Sequence, residues 1–334
     1  MNAWTAQLDA AVDFIRERDD FLVVSHVQPD GDAISSTVAV AWLLDKLGKS
    51  YAMYNEGPVP ERLHYLTGSE RIQTNASGEA GRAYRHVIAV DCADFSRVGN
   101  ATERFEENFE LLNIDHHPTN NGYGLVNVLR SDAAATAEIL YELIERTGTV
   151  LDKDAATAIY TGMLTDTGGF RYSNTTPNVL AIASRLIDLG VDGPMLAEHL
   201  LERMTLQQML VLQRALSRLT FSADKRIAWL WVTPEDMTDT GAKNEDLEGI
   251  VNFPRNVEGV EVGILFKQNS ENSVKVSLRS AGKVDVAAVS QLFGGGGHVR
   301  AAGCKVAAAL EDAISQLTAA VGKALESHDA SQNA

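Results

Sequence analysis

At 334 residues, with 45% hydrophobic and 22% charged residues, the chain has the composition of a globular protein with room for two domains, which excludes disordered and fibrous classes. A formal net charge of −16, of which residues 1–220 contribute −12 through 18 basic and 30 acidic residues, argues against a protein that tracks long duplex nucleic acid. There is no signal-peptide pattern, no run near the roughly 18 apolar residues that span a bilayer, and no disulfide framework in the distant pair Cys92 and Cys304, so the expected setting is the cytoplasm, with no membrane partner.

Trp4, Leu8, Val12 and Ile15 recur at helical spacing over residues 4–18, and residues 21–25 read as a short buried strand. A second helix is predicted over 34–47, stopped by Gly48. Strands follow at 50–54, 86–90 and 111–114, separated by helical or loop segments; this alternation marks an α/β domain with a parallel sheet and helices on both faces. Residues 132–189 are mostly helical, interrupted by the polar, glycine-containing stretch 165–177, and residues 194–219 read as helices bridging two domains. Beyond them, strands at 226–232, 260–267 and 274–278 and helices at 247–253, 286–293 and 307–325 predict a smaller mixed α/β domain. The expected division is an N-terminal domain over 1–195, a helical linker over 196–219, a C-terminal domain over 220–326 and a frayed tail over 327–334.

Three predicted strands run into metal-binding residue types: His26 with Asp30-Gly31-Asp32, then Asp91-Cys92-Ala93-Asp94, then Asp115-His116-His117. Open parallel sheets bind ligands outside the carboxyl ends of their strands, so these segments should converge. Asp166, in Thr165-Asp166-Thr167-Gly168-Gly169, adds a carboxylate where a helix should break. Imidazole and carboxylate donors without thiolates favour manganese, zinc or iron over a structural zinc site. Crowded carboxylates repel; two dications roughly 3.5–4 Å apart would relieve that, activate a water and hold both oxygens of an in-line displacement at phosphorus. Taken singly, Asp-x-Asp is more often a turn, His-His a solvated pair, and Asp91 or Asp115 a helix cap. Their occurrence together at three successive strand ends favours the metal centre.

In the second domain, Gly294-Gly295-Gly296-Gly297-His298 leaves backbone N–H groups open to a phosphate, as in an anion-binding nest, although a hinge or tight turn is the ordinary reading of four glycines. The P-loop pattern is absent. Arg279 and Ser280 end a predicted strand and Arg171 follows Gly169; each arginine could equally be a surface residue.

These segments resemble the DHH phosphoesterase family, named for the triplet found here as Asp115-His116-His117. The other matching segments are His26 with Asp30-Gly31-Asp32, Asp91-x-Ala93-Asp94, Thr165-Asp166-Thr167-Gly168, and Gly295-Gly296-Gly297-His298-x-x-Ala301-Ala302-Gly303. The run from Thr165 to Thr175 is similar to the branch that degrades very short RNA and removes the 3′-phosphate of adenosine 3′,5′-bisphosphate (pAp). The resemblance implies that His26, Asp30 and Asp91 hold one metal and Asp32, Asp91, His116 and Asp166 the other, usually manganese, with magnesium or cobalt as substitutes. Asp115 would orient a histidine and His117 would stand by the scissile phosphate. Arg279, Ser280, Gly295, Gly296, Gly297, His298 and Arg171 would grip the nucleotide. The implied substrates are pAp, pApA and short RNA, with hydrolysis of cyclic di-AMP as an alternative; a pyrophosphatase, a long-strand exonuclease and a non-catalytic nucleotide sensor are the rival readings. A homodimer through the N-terminal domain fits the same resemblance. One departure stands out: after Asp32 the chain reads Ala33-Ile34-Ser35-Ser36, where the family usually has glycine before serine.

Overall fold

The computed structural model describes residues 3–74 and 82–332, which divide into two compact units meeting in sequence between Arg203 and Met204. In the first unit the chain runs α1 (Ala3–Glu17), β1 (Phe21–Val24), α2 (Gly31–Lys46), β2 (Tyr51–Tyr54), β3 (Ile72–Gln73), β4 (Tyr84–Val90), β5 (Phe105–Asp115) and β6 (Val126–Leu129). Helices α3 (Thr136–Thr147), α4 (Lys153–Asp166), α5 (Pro177–Asp188) and the short α6 (Gly193–Ala197) complete it. The strands form one parallel sheet in the order β3-β2-β1-β4-β5-β6.

Alternation along the strands divides the core by face. Phe21, Val23, Met53, Ile88, Val90, Leu112 and Ile114 pack under α1 to α5, while Leu22, Val24, Tyr54, Val87, Ala89 and Leu111 form a smaller cluster with Val98 and Ala101. Fully burying such side chains is worth about 1.5–3 kcal/mol each. The second face is therefore covered by the 3-10 turns of Phe95–Arg104, broken at Gly99, where the sequence led us to expect full helices. β3 and β6 were also unforeseen: the first has two residues, and the second has four, of which Val128 alone is fully buried, so neither has a strong strand pattern.

The register aligns the strand ends. Val24 pairs with Ala89, and Val90 with Ile114, so that His26, Asp91 and Asp115 fall in one row just beyond the sheet. Asp30 caps α2, its carboxylate accepting from Ala33 N, and so turns the chain back from that row.

The second unit contains α7 (Leu206–Leu216), β7 (Thr220–Phe221), β8 (Ile227–Val232), α8 (Pro234–Thr240), α9 (Asn252–Arg255), β9 (Val262–Ser270) and β10 (Ser273–Ser280). It ends with α10 (Val286–Gln291), β11 (Gly296–His298), β12 (Ala301–Val306) and α11 (Leu310–Gln332). Its mixed sheet has the order β11-β12-β10-β9-β8-β7, with β8 and β9 parallel and the other pairs antiparallel.

Three expectations are corrected here. Segment 196–219 is not a separate linker: Leu196 and Leu200 belong to the first core, and Val211, Leu212 and Ala215 pack beside Leu230, Val232 and Leu265 in the second unit. The helix expected at 247–253 is a 3-10 turn, Glu245–Leu247, followed by α9, because Gly249 adopts a left-handed φ of 78° between them. The chain does not fray at 327, since α11 continues to Gln332 and Asp329 pairs with Arg226; residues 333–334 lie outside the described residues.

Helices α2 and α4 approach closely at Gly162. A Cβ there would lie 2.5 Å from Asp32 Oδ1, 2.6 Å from Ala137 Cβ and 2.6 Å from Ser35 Oγ. The hydroxymethyl group of Ser35, where the family usually has glycine, is thus accommodated by a glycine on the facing helix. Gly162→Ala is expected to destabilise the protein by about 1–3 kcal/mol through overpacking, and adding Ser35→Gly should recover part of that loss. Urea unfolding of both variants checks this; an unchanged midpoint for Gly162→Ala would contradict the contact.

Candidate metal centre

Asp91 occupies the centre of the row at the strand ends. It is 2% exposed and its backbone adopts a left-handed φ of 54°, which is uncommon outside glycine and turns the chain sharply as it leaves β4. Its Oδ2 lies 3.6 Å from His26 Nε2, and its Oδ1 lies 3.6 Å from His116 Nε2. Around the first pair stands Asp30, 3.8 Å from His26 Nε2. Around the second stand Asp32 at 3.9 Å and Asp166 at 3.3 Å from His116 Nε2. His26, Asp30 and Asp91 form one group of potential ligand atoms within 4.8 Å of one another, and Asp32, Asp91 and His116 another.

Most of these distances are too long for hydrogen bonds. They suit donors arranged around a shared cation, because ligands bound at about 2.0–2.2 Å stand roughly 3.0–3.6 Å apart. Backbone carbonyls orient both imidazoles toward such a cation. Nδ1 of His26 faces the carbonyl of Val27 at 2.8 Å, and Nδ1 of His116 faces that of Ala133 at 3.2 Å. A carbonyl only accepts, so each Nδ1 donates, which leaves Nε2 facing the carboxylates as the atom a cation would take.

The charges fit the same reading. Burial, together with the neighbouring carboxylates of Asp91 and Asp30, pushes the Asp32 pKa well above the carboxylate range. Burial also works against a charge on His26, but Asp30 and Asp91 overcome it and raise its pKa to about 10. Burial lowers that of His116. In Asp91 burial opposes ionisation, and the nearby imidazole of His26, with the charges of His117 and His116, holds its pKa below the usual range. Crowded buried carboxylates beside inward-facing imidazole Nε2 atoms have the chemistry of a divalent-cation site.

Sequence reasoning missed several supporting groups. The first turn of α3 binds Asp32 directly: Thr136 N donates to Oδ2 at 2.7 Å and Ala137 N to Oδ1 at 3.1 Å, the usual use of a helix N-terminus on a carboxylate. Thr136 Oγ1 donates to Asp91 Oδ1 at 3.1 Å. Asn174 Nδ2 donates to the carbonyls of Ala134 and Asp166, linking the turn after α4 to the loop before α3. The buried run Ala133-Ala134-Ala135-Thr136 was the available signal, since small residues allow such close approach.

His117 and Asp115 stand beside this cluster, His117 Nδ1 donating to Asp115 Oδ1 at 2.8 Å and lying 3.6 Å from Asp91 Oδ1. Arg171 is exposed one turn past Asp166, its Nε donating to the carbonyl of Gly168 at 2.5 Å.

In the second unit the expected substrate residues are only partly gathered. Arg279 pairs with Ala301, and Ala301 with His298, placing Arg279 and His298 on one face of β10-β12-β11. Ser280 points to the opposite, covered face, 3% exposed, with Oγ accepting from Gly282 N. It shares a strand with Arg279 but not a surface, which corrects its grouping with Arg279. The glycines also have a packing role. Gly296 and Gly297 pair with β12, and a Cβ at Gly295 or Gly297 would lie 2.2 Å from Gly303 O or 2.5 Å from Ala301 O. Their role in the fold is to let an edge strand approach its neighbour.

A cation must displace the proton that His26 otherwise holds up to about pH 10. Affinity for a divalent ion is therefore expected to rise with pH, by about tenfold per unit for each proton displaced. Calorimetric titration of manganese into chelator-treated protein at pH 6.5 and 7.5, in buffers of different ionisation heat, reads both the affinity and the protons released. A pH-independent affinity would count against this ligand set. Asp91→Ala should abolish binding at both positions.

Comparison with known proteins places this geometry in a family. The chain matches the DHH family, N-terminal domain, over residues 20–163 and the DHHA1 domain over residues 223–327. It is 36% identical over 287 residues to the bifunctional oligoribonuclease and PAP phosphatase NrnA of Thermus thermophilus, covering 84% of this chain and 82% of that protein. It is 25% identical to the Bacillus subtilis protein of the same name, covering 86% and 90%. Among solved structures, an exopolyphosphatase-related protein from Bacteroides fragilis superposes with a TM-score of 0.88 at 25% identity, covering 97% of this chain and 98% of that one. The chain belongs to the DHH family of phosphoesterases, which are metal-dependent hydrolases.

Proposed function

We propose that the chain hydrolyses phosphate esters of small nucleotides, degrading very short oligoribonucleotides and removing the 3′-phosphate of pAp, with two divalent cations as cofactors and manganese as the preferred ion. The observation that carries this reading is the placement of Asp91, whose two oxygens each lie 3.6 Å from a different histidine and so serve two cation positions at once. The names of the Thermus and Bacillus relatives support the substrate class.

When bound, the cations supply positive charge for the phosphoryl oxygens and lower the pKa of a water. The chain's own residues do the rest. His26, Asp30 and Asp91 hold one ion; Asp32, Asp91, His116 and Asp166 hold the other. His117, tied through Nδ1 to Asp115, presents Nε2 to the phosphoryl group or leaving oxygen as hydrogen-bond or proton donor. Arg279 and His298, sharing a face of the second sheet, bind substrate phosphate. Arg171 adds a cation near the end of α4. No described helix is long and apolar enough to cross a membrane, and both cysteines are free, which suits the reducing cytoplasm.

The test is a panel of pAp, pApA, RNAs of two to five nucleotides, cyclic di-AMP, inorganic pyrophosphate and a single strand of about twenty nucleotides, each with manganese or magnesium. Release of AMP from pAp and of mononucleotides from the shortest RNAs is expected, with little turnover of pyrophosphate or the long strand. Asp91→Ala should lose every activity by at least about a thousandfold, the scale on which catalytic groups that act as a unit are lost. Turnover of pyrophosphate alone would replace this reading with a pyrophosphatase, and bound nucleotide without product would make the protein a sensor.

A further inference from the structure

A chain of three buried or half-buried asparagines ends on Asp115. Asn113 lies on β5, two residues before Asp115 and fully buried; it pairs in register with Asn127 on β6. Asn120 comes from the loop between those strands. Unpaired amides at such positions are costly, and apolar residues would pack there more cheaply. Gly124 makes the arrangement possible, since a Cβ there would lie 2.6 Å from Val126 O and 2.9 Å from Asn113 Cβ.

The backbone determines how each amide is turned. Asn127 Oδ1 accepts from Gly124 N at 3.0 Å while its Nδ2 donates to Gly124 O at 2.8 Å. The atom of Asn113 that lies 3.0 Å from Asn127 Oδ1 must then be its Nδ2, which also lies 3.0 Å from Asn120 Oδ1. Asn120 Oδ1 accepts from Gly122 N as well, at 2.9 Å. That leaves Asn120 Nδ2 facing Asp115 Oδ2 at 2.7 Å, the shortest of its contacts, with the carbonyl of Cys92 and Asn113 Oδ1 each at 3.2 Å. One Asp115 oxygen is thereby committed to an N–H, and the other accepts from His117 Nδ1 at 2.8 Å. An ionised carboxylate only accepts, and the Asn120 N–H favours that ionised form, so the ring facing Oδ1 carries its proton on Nδ1. Nε2 is then the ring nitrogen through which His117 acts on anything other than the carboxylates.

We infer that Asn120, supported by Asn113 and Asn127, is a positioning residue that sets the tautomer and aim of His117 through Asp115. This deepens the proposed hydrolysis and rests on it for the consequence in turnover, but the tautomer is independent of what the protein hydrolyses. Asn120 touches no substrate; it acts two hydrogen bonds away, while the ligand candidates around Asp91 keep their own supports in Thr136, Ala137, Val27 and Ala133.

The experiment uses the full chain with magnesium, Asn120→Ala, and Asn120→Asp, which keeps the side chain's size but replaces the N–H donor with oxygen. Imidazole nitrogen NMR of His117, assigned by its loss in His117→Gln, should show a protonated Nδ1 and an unprotonated Nε2 in the parent protein above the pH at which the ring ionises, and a mixture of tautomers in both Asn120 variants. Turnover of pAp and pApA should fall about 10–100-fold in kcat, the usual effect of removing an outer hydrogen-bond partner, with KM and manganese affinity within about twofold of the parent. Unchanged ring nitrogens in a folded Asn120→Asp protein would overturn the inference, as would a loss of manganese affinity in parallel with kcat, which would make the amides a support of the metal ligands instead. If the parent turns over neither nucleotide, the functional reading fails while the tautomer measurement still decides the role of Asn120.

Discussion

Mutual repulsion among buried carboxylates is the constraint around which the first unit is built. Asp32 and Asp91 are 0% and 2% exposed and lie near a third carboxylate, Asp30. A sheet edge that gathers such charge is unfavourable unless positive charge, donated hydrogen bonds or both are brought to it. The surrounding elements are arranged to do so. The α3 N-terminus gives two N–H groups to Asp32, Thr136 gives its hydroxyl to Asp91, and two histidines are anchored by backbone carbonyls with their Nε2 atoms inward. Gly162 lets α4 come near enough to close the site from the other side. The unusual backbone of Asp91 follows from the same demand, because only a sharp turn at the end of β4 presents both of its oxygens between the histidines.

Much of this was legible because the information is local. Short apolar runs bounded by polar residues identify β1, β2, β4 and the end of β5, and the switch from period two to period 3.6 identifies α1 and α2. Parallel connectivity follows from alternation, and from it the convergence of residues 26, 91 and 115. What failed was whatever depends on partners distant in sequence. β6 is a strand because β5 pairs with it, since Val126-Asn127-Val128-Leu129 is too short an apolar run to identify by itself. The 3-10 cover over β4 and β5 is legible only once the exposed sheet face is known. The second-unit helix α7 carried no mark of the core it joins, since Val211, Leu212 and Ala215 suit either neighbour equally.

The site divides along the same line. Residue types at strand ends could be read, whereas hydrogen bonds that support them from other elements could not: nothing about Thr136 or Asn120 in isolation says that it reaches Asp91 or Asp115. In the second unit, composition showed only one of two roles. Four glycines suggest an anion nest, but glycine is also the residue that lets two backbones meet, and the steric test at Gly295 and Gly297 favours the latter. Adjacent residues on a strand face opposite ways, so Arg279 and Ser280 could not both serve one ligand. The Ser35 departure is the converse case. It looks like a change to the site until Gly162 is found opposite, whereupon it becomes one half of a packing pair.

Charge gives substrate length a physical basis. The acid excess of −12 over residues 1–220 contains the metal cluster, so bound cations cancel only part of it and the rest repels polyanions. At physiological ionic strength charges interact over about 8 Å. A pAp or dinucleotide molecule brings only a few phosphates, and those that reach the cations exchange repulsion for strong attraction at once. Each further nucleotide of a long strand adds phosphates that reach no cation and still carry the repulsion of a net-acidic chain. Such repulsion would favour short substrates, and a preference of this origin should weaken as salt rises, because screening removes the cost of the distant phosphates before it weakens the close contacts at the metals.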